Sequence, residues 1–275
     1  MSTAYLGTSA FAAAVLERLA ATPHRPSLVV TRPDRPAGRG RVLTPPPVAT
    51  TARELGLELI QPESVNTDEV TEQILAGGAE VGVVCAFGAL IKDPLLSRLA
   101  LLNVHPSLLP RWRGAAPVER AIMAGDTETG VSIMRLTAGL DSGPVCLAEA
   151  VPIRPDDDYG SLAASLEDLG ARLLVRALDE RPPFAEQDED GVTYAEKITA
   201  ADRTLDPAAP AEVNERKVCA LHPHIGARLQ LADGTLLGVR RARVGDDGSL
   251  ELVEVQPPGG RPMAYADYLR GRAAT

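Results

Sequence analysis

The sequence predicts an α/β protein in which a Rossmann-like, mostly parallel sheet with flanking helices is followed by a small C-terminal β-barrel-like domain. Short, almost continuous apolar runs at Ser27–Thr31, Glu80–Gly88 and Leu99–Leu102 alternate with segments whose apolar residues recur at helical spacing, the pattern of parallel strands covered on both faces. Hydrophobic residues make up 45% of the chain and aromatics only 3%, so the core is built from Leu, Val and Ala. Beyond residue 206 the pattern changes to closely spaced strand candidates with an Asp233-Gly234 hairpin signal. The 275 residues allow one large domain and a small companion. The expected division is 1–181, a linker over 182–206, and 207–275.

Tyr5-Leu6-Gly7-Thr8 reads as a strand turning into a helix that carries Phe11, Val15, Leu16 and Leu19 on one face. Only Gly7 stands in that turn, so the glycine fingerprint of a dinucleotide site is missing and a nicotinamide cofactor is not expected. The second strand, Ser27–Thr31, runs into Arg32–Arg41, which carries four arginines against one acid; its prolines and glycines are expected to keep it out of helix and strand. That segment is either an ordinary solvated loop or a rim surface whose guanidinium groups suit phosphates and stacked bases. A helix over Val48–Leu55 and a short strand at Leu57–Ile60 come next. Thr67 then caps a helix with Asp68 and Glu69 in its first turn. The strand Glu80–Gly88 leaves through the loop Gly88-Ala89-Leu90-Ile91.

The most informative stretch is Asn103 to Pro117. An apolar run leads into Asn103 and His105, after which Pro106, Pro110 and Gly114 interrupt regular structure. Alternate strand residues share a face, so the two side chains project together at the strand's carboxyl end, where open α/β sheets keep their ligands. A helix over Ala116–Met123 and a strand over Val131–Leu136 then deliver Gly139-Leu140-Asp141-Ser142-Gly143, an acid held between glycines. An amide, an imidazole and a carboxylate can together polarise a carbonyl and move protons; each alone is more often a structural strand-end or turn residue, and it is the combination that points to a site. Trp112 either wedges the loop or stacks on a ligand. Val145–Ile153 completes the sheet as an antiparallel edge strand, where Pro152 is tolerated, and Tyr159–Leu178 packs one face upon it. A helix over Ala208–Leu221, strands at Ala227–Leu231, Leu236–Val244 and Leu250–Val255, and a terminal helix at Ala264–Leu269 complete the chain.

Three widely spaced cysteines suggest neither a disulfide framework nor a zinc pattern. His222 and His224 have no third ligand nearby in sequence, and no metal is expected. No apolar run reaches membrane-spanning length and the start lacks a basic leader, so a soluble cytoplasmic protein is expected. The net charge of −9 is concentrated in residues 154–190, with 11 acidic against 4 basic groups, which leaves room for a basic patch elsewhere.

At Asn103, His105, Ser107, Leu108, Leu109 and Pro110 the chain resembles the folate-dependent formyltransferases, whose motif is Asn-x-His-x-Ser-Leu-Leu-Pro and whose third catalytic member is the Asp of Gly-Leu-Asp-x-Gly, here Asp141. The continuation Arg111–Pro117, the segment Asp34-Arg35-Pro36-Ala37-Gly38-Arg39-Gly40 and Tyr194-Ala195-Glu196-Lys197-Ile198 resemble the branch that acts on methionyl-tRNA. The resemblance implies transfer of a formyl group from 10-formyltetrahydrofolate to the amino group of methionyl initiator tRNA. Asn103 and His105 would stabilise the tetrahedral intermediate and Asp141 would assist proton transfer. It further implies folate contacts from Phe87, Gly88, Leu90, Ser107, Leu108, Leu109 and Pro110, with core packing an equal explanation for Phe87 and Leu90. It places Phe11 beside the amino-acid substrate, with plain core the alternative. Arg35, Arg39 and Arg41 would enter the tRNA acceptor stem, Arg39 foremost, and the protein would be a monomer. The C-terminal barrel is shorter than the family's by roughly two strands' worth between Val244 and Gly248. His222-Pro223-His224-Ile225-Gly226 stands where the family has Asn-Pro-Trp-Pro-Gly. A formyltransferase for a small amine, such as a sugar nucleotide or glycinamide ribonucleotide, and a non-catalytic folate- or RNA-binding module are the alternatives.

Overall fold

The computed structural model describes residues 1–37 and 40–273. In chain order it runs β1 (Thr3–Gly7), α1 (Ala10–Ala20), β2 (Pro26–Val30), β3 (Arg35–Ala37), β4 (Val42–Thr44), α2 (Pro47–Glu54), β5 (Leu59–Ile60), α3 (Asp68–Ala76), β6 (Val81–Cys85), α4 (Leu95–Arg98) and β7 (Leu101–His105). It continues through β8 (Arg113–Gly114), α5 (Pro117–Ala124), β9 (Glu128–Arg135), β10 (Val145–Pro152), α6 (Tyr159–Glu180) and β11 (Tyr194–Ala195). The remainder is α7 (Ala211–Leu221), β12 (Ala227–Gln230), β13 (Leu236–Val244), β14 (Leu250–Gln256), β15 (Met263–Ala264) and α8 (Tyr265–Ala273).

The main sheet has the order β10-β9-β7-β6-β1-β2-β5. The five strands from β5 to β7 are parallel and β9 runs antiparallel to β7. Arg135 N donates to Pro144 O at one end of β9 and Ile153 N to Thr127 O at the other, so β10 is an antiparallel edge strand, as its Pro152 requires. The central strands β1, β6 and β7 are buried along their whole length. Leu6, Leu28, Val30, Ile74, Val84, Leu95 and Leu101 pack into one cluster, each contributing about 1.5–3 kcal/mol when fully buried. Local signals agree with this packing: the Ser9 hydroxyl accepts from Ala12 N at the start of α1, and Thr67 accepts from Val70 N at the start of α3.

The arginine-rich segment departs from its expected irregularity. β3 and β4 pair antiparallel with Arg35 opposite Thr44 and Pro36 opposite Leu43. A two-stranded ribbon has an open edge on each strand, so the missing N–H of Pro36 leaves no interrupted ladder. α7 starts at Ala211 rather than Ala208, because Pro210 disfavours helical torsions at Ala209.

The chain divides into two compact units. The first comprises Met1–Ala115, Gly130–Val151 and Ala164–Tyr194; the second comprises Ala116–Thr129, Pro152–Ala163 and Ala195–Thr275. In the second, β12-β13-β14-β15 form an antiparallel sheet, and the first hairpin turns through Asp233-Gly234 with Gly234 at φ +82°. Leu205, Val218, Leu221, Ala227 and Val239 form its core. His222 and His224 are spent separately. The His224 ring stacks on Tyr159 at 3.6 Å and its Nε2 lies 3.0 Å from Glu119 Oε1, whereas His222 Nε2 lies 3.9 Å from Asp158 Oδ2. Among the described residues no group of His, Cys, Asp and Glu is arranged to hold a metal ion, and no helix is long and apolar enough to cross a membrane.

Candidate active site

Strand β7 presents Leu101, Asn103 and His105 on one face, and Leu101 belongs to the main core. The buried face therefore turns polar within two residues, and Asn103 and His105 are only 8% and 4% exposed. On the other face Val104 is covered by α6, where a β-carbon at Gly170 would lie 2.9 Å from Val104 Cγ1. Register sets Asn103 opposite Met134 and His105 opposite Ser132 on β9. The chain leaving β9 then folds back through Gly139–Gly143 to the same end of the sheet.

That return brings the three predicted residues together. Asn103 Nδ2 donates to Asp141 Oδ1 at 3.3 Å, Gly114 N donates to Asp141 Oδ2 at 2.8 Å, and His105 Nδ1 lies 3.7 Å from Asp141 Oδ2. On the far side of the imidazole, Nε2 lies 2.9 Å from the Trp112 carbonyl oxygen. A carbonyl can only accept, so Nε2–H donates to it and Nδ1 is the ring nitrogen that faces the carboxylate. A proton arriving at Nδ1 would meet a carboxylate whose side chain is 13% exposed.

The loop after β7 is built from its own backbone. Ser107 Oγ donates to Arg111 O at 2.6 Å, and Ser132 Oγ donates to Ser107 O at 2.8 Å while accepting from Leu109 N at 3.1 Å. Ser107 is fully buried, whereas Leu108, Leu109 and Pro110 are half-buried. Trp112 adopts φ +63°, its N–H donates to Thr193 Oγ1 at 2.9 Å, and the Arg111 guanidinium lies over its ring at 4.4 Å.

Residues 1–178 match the family model described as formyl transferase. The chain is 44% identical to the methionyl-tRNA formyltransferase of Halorhodospira halophila over 98% of this chain and 95% of that protein. It is 39% identical to that of Dechloromonas aromatica over 98% and 96% respectively. The chain belongs to the methionyl-tRNA formyltransferase family. Among solved structures, the methionyl-tRNA formyltransferase from Clostridium thermocellum superposes with a TM-score of 0.66 at 13% identity, covering 94% of this chain and 98% of that one. A 4-N formyltransferase from Francisella tularensis gives 0.67 at 14% identity over 91% and 97%. These two likenesses concern the fold.

The other residues read from sequence lie as follows in this formyltransferase. Phe11 is buried on α1, and Phe87 is 4% exposed within the main core. Beside it Ala86 and Gly88 both take left-handed torsions, and the loop is tied down by Thr8 Oγ1 donating to Phe87 O, Arg32 Nη1 to Gly88 O and Asn66 Nδ2 to Leu90 O. Leu90 is 56% exposed. Arg35 and Arg41 are exposed on the β3–β4 ribbon, while Arg39 lies outside the described residues.

Sequence reasoning missed four groups that meet the predicted residues: Gly114 N, Trp112 O, the side chain of Ser132, and Gln187, whose Nε2 donates to Asp141 O at 2.8 Å. The first two belong to a motif read only through its side chains. Ser132 shows no signal beyond being polar in an apolar strand, which is itself a cue for a buried hydroxyl with backbone partners. Gln187 lies in the presumed linker, and nothing in its neighbourhood marks it.

Proposed function

We propose that this protein transfers the formyl group of 10-formyltetrahydrofolate to the free amino group of methionyl initiator tRNA. Transfer requires a polarised formyl carbonyl and somewhere for the amine proton to go. Asn103 retains an amide N–H beyond the one given to Asp141, and with His105 it would hold the formyl oxygen as negative charge develops there. Once a second proton reaches Nδ1, that nitrogen becomes a donor as well and Asp141 compensates the charge of the ring. The Trp112 carbonyl keeps the ring oriented throughout. The exposed Leu90, beside the left-handed turn at Gly88, offers an apolar wall of the kind a planar ring packs against, while Phe87, turned into the core, supports the loop from beneath. Ser107 to Pro110 would complete the folate contacts through a backbone fixed by Ser132.

The convergence of Asn103, Asp141 and His105 at one end of β7 carries this reading, supported by full-length similarity to enzymes named for the reaction. Purified protein should formylate methionyl-tRNA with 10-formyltetrahydrofolate and leave small amines such as glycinamide ribonucleotide almost untouched. His105→Ala should abolish turnover while leaving the fold intact, and Arg39→Ala should weaken use of the tRNA far more than of the folate. Equal activity on a small amine would favour a formyltransferase of another substrate class, and folate binding without turnover would favour a binding module.

A further inference from the structure

We propose that Gln187 is a positioning residue for formyl transfer, holding the Asp141 loop from a segment that contains none of the catalytic motifs. The assignment rests on the role proposed above for Asp141. Asp141 adopts φ +44°, a left-handed conformation that costs a non-glycine residue on the order of 1 kcal/mol and persists only where its surroundings enforce it. The carboxylate is anchored by Asn103 and Gly114; the backbone is held by a different group. Gln187 Nε2 donates to Asp141 O at 2.8 Å and to Gly143 O at 2.7 Å, so both protons of one amide bracket the turn. The other end of that amide, Oε1, accepts from Arg113 Nε at 3.0 Å. Two carbonyls on one side and a guanidinium on the other admit only this orientation of the amide.

Arg113 is 5% exposed and precedes Gly114, whose N–H holds Asp141 Oδ2. The contacts therefore close a ring: Asp141 backbone to Gln187, Gln187 to Arg113, Arg113 through the chain to Gly114, and Gly114 back to the Asp141 carboxylate. Gln187 is itself presented from a fixed point, because Val145 and Ala185 exchange backbone hydrogen bonds of 2.8 and 2.9 Å two residues upstream. Gly143 itself runs so close to β9 that a β-carbon there would lie 2.0 Å from Arg135 O. Without Gln187, the strained residue loses the bond to its own carbonyl and the turn loses the bond at Gly143 O, and the carboxylate drifts relative to His105.

Steady-state formylation of methionyl-tRNA by full-length Gln187→Ala and Gln187→Glu, with melting temperatures, tests this. The glutamate keeps an acceptor for Arg113 but has no donor for either carbonyl, so it separates positioning from bulk packing. Both variants should lose kcat about 10²-fold, the penalty of a displacement of about 1 Å, with KM for the folate unchanged. In an Asp141→Asn background, Gln187→Ala should add almost nothing, because residues that act as a unit are not additive. Unchanged kcat in both Gln187 variants, or a full additional loss in the double variant, overturns the assignment. Wild-type turnover by Asp141→Asn alone overturns the role of Asp141 and the assignment with it; inactive Asp141→Asn beside fully active Gln187 variants overturns the assignment only.

Discussion

Replacing Asp141 by asparagine removes one charge and keeps the shape of the side chain. In the structure both carboxylate oxygens accept, Oδ1 from Asn103 Nδ2 at 3.3 Å and Oδ2 from Gly114 N at 2.8 Å. An asparagine can satisfy only one of these donors, and its amide group must face the other. The shorter bond to Gly114 should be kept, turning the new amide nitrogen toward Asn103 and pushing the two amides apart. Loss of that one bond costs about 1 kcal/mol in stability. The effect on the reaction is larger. For a unit charge on His105 at 3.7 Å from Oδ2, Coulomb's relation with an effective dielectric of about 20 gives roughly 4–5 kcal/mol, which corresponds to about 10³-fold in rate. Single-turnover formylation with methionyl-tRNA and excess 10-formyltetrahydrofolate reads the chemical step directly, and thermal denaturation of the same sample reads the fold. A variant that melts like the parent and turns over within tenfold of it would refute the argument that the carboxylate supports a charged imidazole.

Ser132→Ala deprives Ser107 O of its donor and Leu109 N of its acceptor; stability should fall by about 1–3 kcal/mol, and KM for the folate should rise more than kcat falls, as seen in titrations of each substrate. Asp202 in the second unit accepts from Arg120 at 2.7 and 3.2 Å and from Thr199 N and Oγ1 at 2.8 and 2.7 Å, and the Arg120 guanidinium, aided by Thr199, holds its carboxyl well below the ordinary range. Its folded pKa is depressed, so the stability it supplies is present above the ordinary carboxylate value of about 4 and is lost as pH falls toward the folded value. Asp202→Asn should therefore lower stability at pH 7 and flatten its decline below pH 4, which denaturant titrations across that range would register; a parallel decline in parent and variant would contradict the linkage.

The parallel strands and their covering helices were legible because each depends on local pattern: apolar runs such as Val81–Cys85, and caps such as Thr67 that act within one turn. Asn103 and His105 were legible for the same reason, since alternation along a strand fixes which side chains share a face. The pairing of β3 with β4 was not, because Arg35 and Thr44 meet through a register that composition does not encode, and the prolines argued against it. Tertiary structure alone decided that Asp141 meets His105, 36 residues away in sequence, that Ala116–Thr129 groups with the C-terminal residues instead of the sheet it interrupts, and that a glutamine in an acidic, proline-containing segment reaches the turn carrying the acid. Local propensity comes from torsional and solvation preferences within a few residues, which the order of amino acids states directly. The distances among an amide, an imidazole and a carboxylate depend on how the sheet twists and how its loops return, and those emerge only when the whole core is packed.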